Sequence, residues 1–111
     1  MSYTVNITDA ADNDLRAIFS YIAFDLKSYQ NAAGQLERLE SAICSLSEMP
    51  ERYRRYEKEP WHSRGLRRMS VDNYCVYYIP DHAEQTVAII RVMYGGMDID
   101  RRLEEFADAT E

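Results

Sequence analysis

The stretch Arg91-Val92-Met93-Tyr94-Gly95-Gly96-Met97-Asp98-Ile99 ends the last apolar run of the chain, and its reading decides the fold. The run from Thr86 to Met93 is rich in Val and Ile, the composition of a strand. Gly95-Gly96 then stops it, because two successive residues without Cβ favour a turn or a close backbone approach. A tyrosine and an arginine therefore sit near the end of a sheet, beside backbone that a ligand can approach.

Working upstream, two more strands are expected, over about Gly65–Val71 and Tyr74–Ile79. Asp72-Asn73 and Pro80-Asp81-His82 supply the turns, and such short connections make the three strands antiparallel neighbours. Residues 51–63 form a polar, aromatic loop containing Pro60. Before it, Leu36, Leu39, Ile43 and Leu46 make an apolar stripe at helical spacing, with Pro50 just past its end. An earlier stripe runs through Ala11, Leu15, Ile18, Phe19, Ile22 and Leu26. Thr8 or Asp9 caps it, Asp12 and Asp14 suit its positive end, and Ser28 or Asn31 restarts the chain. Tyr3, Val5 and Ile7 alternate with polar residues, as in a half-buried strand. Downstream, Ile99, Leu103 and Phe106 suffice for a short helix in the acidic end, Asp98 to Glu111. The order is β-α-α-β-β-β with a terminal helix: an α+β fold, a two-helix hairpin on a mostly antiparallel sheet.

At 111 residues the chain makes one domain, 1–111, with a single modest core. Its 46% apolar and 29% charged residues exclude a disordered chain. No apolar run approaches the roughly 20 residues that span a bilayer, and no signal peptide is visible, so a cytoplasmic location is expected. Cys44, on the apolar face of the second helix, and Cys75, in a strand, lack metal-ligand spacing and read as reduced thiols. The net charge of −6 is unevenly spread: residues 51–68 hold 7 of the 13 Lys and Arg side chains and only 3 of the 19 acidic ones. Such a tract attracts a polyanion locally although the whole chain is acidic.

Three stretches, in this order and spacing, resemble the RelE/ParE family of bacterial toxins over about residues 3–103. They are Ala10 to Ile22, Leu46 with Met49-Pro50, and Gly65-Leu66-Arg67-Arg68 with Tyr74-Cys75-Val76-Tyr77-Tyr78. The resemblance implies the toxin of a type II, plasmid-stabilisation type toxin–antitoxin pair, held by a cognate antitoxin and needing no metal or cofactor. It also implies one of two targets. ParE-like members poison DNA gyrase; RelE-like members cut ribosome-bound mRNA. The ending Val92 to Asp98 is similar to the ParE-style His-Gly-X-Arg-Asp, with Tyr94 in place of the His and Met97 in place of the Arg. The RelE-like pattern has an Arg where this chain has Cys75. A third reading is an attenuated, non-toxic interaction domain, which the acidic pI near 4.9 favours.

Metal-free RNA cleavage needs a base, an acid and stabilisation of charge at phosphorus. Arg suits only the last task, since it is never deprotonated. The candidate set is His62, Arg64, Arg68, Arg91 and Tyr94, with Arg67 as a further cation and Glu59 as a further base. Trp61, Arg67 and Met97 are candidates for contact with a target or partner. Each has a plainer reading: Arg52, Arg54, Arg55 and Lys58 alternate with Glu51, Glu57 and Glu59 as in a solvated loop, His62 as a surface residue, and Trp61 as a pin holding the loop to the sheet. Arg91 and Tyr94, three residues apart, fall on opposite faces of a regular strand unless the turn after Met93 re-aims Tyr94. Leu66 and Arg68 share a face, and a buried Leu66 then conflicts with a charged neighbour unless a bulge intervenes.

Overall fold

The computed structural model describes residues 2–95; the expected terminal helix and Met97 lie outside them. Strand β1 (Thr4–Ile7) leads into α1 (Asp9–Ser20), which widens into a π-type turn over Tyr21–Asp25. Helix α2 (Tyr29–Cys44) follows, then 3₁₀ turns at Ser45–Ser47 and Pro50–Arg52, the one-turn helix α3 (Trp61–Arg64), β2 (Arg67–Val71), β3 (Tyr74–Asp81) and β4 (Thr86–Tyr94). The sheet order is β1-β4-β3-β2, with β1 parallel to β4 and the other pairs antiparallel. The connection between the parallel pair β1 and β4 is therefore long, running through the helical hairpin and then β2 and β3.

Thr8 caps α1: its Oγ1 accepts from the Ala11 N–H at 3.3 Å and donates to the Ile89 carbonyl at 2.7 Å. One residue therefore starts the helix and fastens it to the central strand. The main core lies between the helices and the sheet, where Leu15, Leu39, Ile43 and Leu46 pack on Met69, Val76, Tyr78, Val87, Ile89 and Val92. At the hairpin tip the π-type turn changes the helical phase, so Leu26, expected on the apolar face, is exposed. Cys44 is also exposed rather than on the apolar face, being one residue past the buried Ile43 at the end of α2. Both cysteines are free thiols.

The opposite sheet face carries a second, smaller core of Trp61, Leu66, Tyr77, Ile90 and Met93, roofed by the loop from Tyr56 to α3. This core resolves the conflict at Leu66 and Arg68. Leu66 is buried on the face away from the helices, and Arg68, further along the same face, reaches solvent beside Tyr77. Pro80 is not in the turn but inside β3, paired with Val87. It is tolerated because β2 stops opposite Tyr78, leaving no second neighbour to receive a donor.

Candidate functional site

The register between β3 and β4 slips by one residue: Tyr77 opposes Arg91 while Tyr78 opposes Ile89, which leaves Ile90 as an extra residue. The bulge sends Ile90 into the second core and turns Arg91 to the helical side. There Asp14 of α1 accepts from Arg91 Nε at 2.7 Å and Nη2 at 2.8 Å, and from the Val92 N–H at 3.0 Å. Both side chains are largely buried, at 13% and 14% exposure. The bulge, not the turn after Met93, is what brings Arg91 and Tyr94 to one side. Asp14 carried a signal in the sequence: it interrupts the apolar stripe between Ala11, Leu15 and Ile18, where a plain solvent-facing acid has no place.

Beside this pair opens a groove of about 860 Å³ between α1, the π-type turn and the ends of β3 and β4. Ile18, Tyr21, Ile22, Leu26, Tyr74 and Tyr94 give it an apolar wall. Tyr94 is exposed and meets Tyr74 edge-on, with ring centroids 5.8 Å apart. Tyr21, Phe24, Leu26 and Tyr29 continue the exposed apolar surface around the hairpin tip. Exposed apolar side chains gathered in this way suit contact with a partner.

The other candidates lie elsewhere. Arg68 is on the opposite sheet face, and His62 is exposed on α3. Arg64 lies over the Trp61 ring at 5.1 Å, and Trp61 beneath it is only 4% exposed. Arg67 is on the helical side, where its Nη1 donates to the carbonyls of Glu51 and Tyr53. Glu59 accepts from the Ser63 N–H and hydroxyl, which holds its carboxyl below the usual range and anchors α3. Arg91 and Tyr94 are therefore brought together; His62, Arg64 and Arg68 do not join them. Among the described residues no cluster of His, Cys, Asp or Glu could hold a metal ion, and no helix is long and apolar enough to cross a membrane.

The chain's sequence matches a family profile described as "ParE toxin of type II toxin-antitoxin system, parDE" over residues 5–99. It belongs to that family. Solved structures agree on the fold. The toxin–antitoxin complex RelBE2 from Mycobacterium tuberculosis is similar at 25% identity and TM-score 0.60, covering 85% of this chain and 99% of that one. A chromosomal ParDE system from P. aeruginosa is similar at 16% identity and TM-score 0.70, covering 84% and 96%. A double mutant of the E. coli toxin RelE in the free state is similar at 14% identity and TM-score 0.65, covering 98% of each chain. No curated protein sequence matches. The chain is a type II toxin of the RelE/ParE fold.

Proposed function

We propose that this toxin arrests growth in the ParE manner, by binding a protein target, DNA gyrase, rather than by cutting RNA. A cognate antitoxin silences it by laying a helix in the groove beside Tyr94. One observation carries the reading: the residues that an RNA-cleaving centre would use are divided between two sheet faces. Arg91 is spent on Asp14 on the helical side, whereas Arg68 is on the other face. A base, an acid and an arginine cannot act on one phosphate from both sides of a sheet. The groove, by contrast, has what helix-in-groove binding needs: apolar anchors, an open wall and polar groups at one edge.

Inducible expression of the chain alone in a bacterial host tests the reading, with growth, RNA integrity and plasmid supercoiling followed together. Growth arrest with intact messages and altered supercoiling is expected. Rapid cleavage of translated messages would overturn it in favour of the RelE-like activity, and unimpaired growth would favour the non-toxic interaction domain. Co-expression with the product of the adjacent gene is expected to restore growth and to yield a complex.

A further inference from the structure

The basic tract assembles a cleft of about 440 Å³ on the sheet face away from the antitoxin groove. The segment Arg54 to Tyr56 runs along the outer edge of β2, with the Tyr56 N–H donating to Leu66 and the Arg68 N–H to Arg54. That pairing stands Arg54 and Arg55 beside Arg68, and Lys58 completes the wall. In sequence these cations alternate with three glutamates, but the fold separates them. Glu51 turns away to His82 and Tyr3, at 3.1 and 3.3 Å, and Glu59 is held by Ser63 at the start of α3. Glu57 alone among the three lines the cleft, so among the described residues Arg54, Arg55, Lys58 and Arg68 share its wall with one glutamate, in a chain whose net charge is −6. Arg54, Arg55, Lys58 and Arg68 are all exposed.

The aromatic residues of the tract are not platforms for bases: Tyr53 packs against the main core with Arg52 over its ring at 4.9 Å. Trp61 is buried under Arg64, and Tyr56 is half-buried with its ring edge-on to Tyr77 at 5.9 Å. A site for unstacked single strands needs open aromatic faces, whereas a site for a duplex needs only cations spaced along phosphates. We propose that this cleft binds the sugar–phosphate backbone of duplex DNA, without reading sequence. The inference is independent of the groove on the helical side, and each can fail without the other.

Fluorescence anisotropy of a labelled mixed-sequence duplex of about 20 base pairs, titrated with the full chain across a salt series, tests it. Three phosphate contacts, one for each arginine, predict binding that weakens roughly 40-fold between about 50 and 200 mM salt. Arg54→Gln, Arg55→Gln and Arg68→Gln are each expected to reduce the slope of log affinity against log salt by about one, and Glu57→Gln to tighten binding. Unchanged thermal unfolding of each variant ensures that the comparison reports the cleft. No binding at the lowest salt, an unchanged slope in the triple variant, or tighter binding of single-stranded RNA of equal length would each overturn the proposal.

Discussion

Arg91 and Tyr94 lie on the same side of β4 although they are three positions apart, because Ile90 is inserted into the strand between its pairings with Tyr77 and Tyr78. A bulge of this kind persists only where something holds it. Here that is Asp14, which binds the Arg91 side chain and the next backbone N–H together. Replacing Asp14 with Ala leaves both without that carboxylate in a largely buried place, and breaking such a pair costs about 3–5 kcal/mol. Urea unfolding of Asp14→Ala checks the value. Asp14→Asn, which keeps an acceptor for Val92, is expected to cost less.

Groove contacts are expected to govern antitoxin affinity rather than stability. Tyr21 and Tyr94 are each about half exposed, at 52%, so charge introduced there disturbs the fold little. Tyr21→Asp and Tyr94→Asp are expected to weaken the antitoxin complex by about tenfold or more each, the scale of an aromatic anchor lost from an interface. Calorimetric titration against the adjacent gene product measures this, and an affinity equal to that of the unmodified chain would move the antitoxin to another surface.

Asp72 joins α2 to the β2–β3 turn, accepting from Gln35 Nε2 at 3.0 Å and Arg38 Nε at 2.8 Å. The Arg38 bond, with that of Gln35, holds its carboxyl below the usual range. A carboxyl with a lowered folded pKa contributes stability that is complete above its unfolded value and is lost as pH falls through the folded one. Unfolding at pH 7 and at about pH 3 is therefore expected to show an acid-side loss that Asp72→Asn reduces.

Burial, the largest cause at each, pushes the phenols of Tyr77 and Tyr78 up to about 12. The folded chain then holds these protons where the unfolded chain, near pH 10, releases them, so stability falls as pH rises from about 10 to 12. Ultraviolet titration of tyrosinate is expected to find these two rings among the last to ionise. The Tyr78 hydroxyl also donates to the Pro50 carbonyl at 2.6 Å, and Tyr78→Phe, which orphans that buried acceptor, is expected to cost about 1–3 kcal/mol in chemical unfolding.

By the resemblance of this ending to the ParE-style pattern, Met97 stands where an arginine is expected. Met97→Arg is expected to raise toxicity, since one charge-assisted contact is worth about 1.5–3 kcal/mol, or roughly tenfold to more than a hundredfold in binding. Growth after induction of both forms at equal protein level decides it; identical curves would remove this residue from the toxic surface.

Local pattern carried most of the fold. The strands over Arg67–Val71 and Thr86–Tyr94 and the two amphipathic helices fall within a few residues of where composition and spacing put them. Three features were not legible, each because it depends on residues distant in sequence. The parallel pairing of Thr4 with Thr86 has no local signature. The inserted Ile90 shows only in the register with β3, so the agreement of Arg91 with Tyr94 could not be read from alternation. Of the second core only Trp61 was legible, as a pin between loop and sheet, because its other members Leu66, Tyr77 and Met93 come from three different strands or their approaches. The site suffered most, since the residue that disposes of Arg91 is on α1, 77 positions earlier.

The placement of β4 has a consequence for how the toxin comes into being. The strand made last among the four sits inside the sheet, between β1 and β3. Until Thr86–Tyr94 has left the ribosome, the first strand has no neighbour and the helical hairpin has no floor, so no partial product can assemble the groove or hold Arg91 in place. Closing a sheet between the two ends of a chain is also slow, because the entropy of the large loop is lost before the contacts form. The groove and the Asp14–Arg91 pair therefore form only once Thr86–Tyr94 has joined the sheet, and a partner that docks there has no complete site to meet before that strand is made.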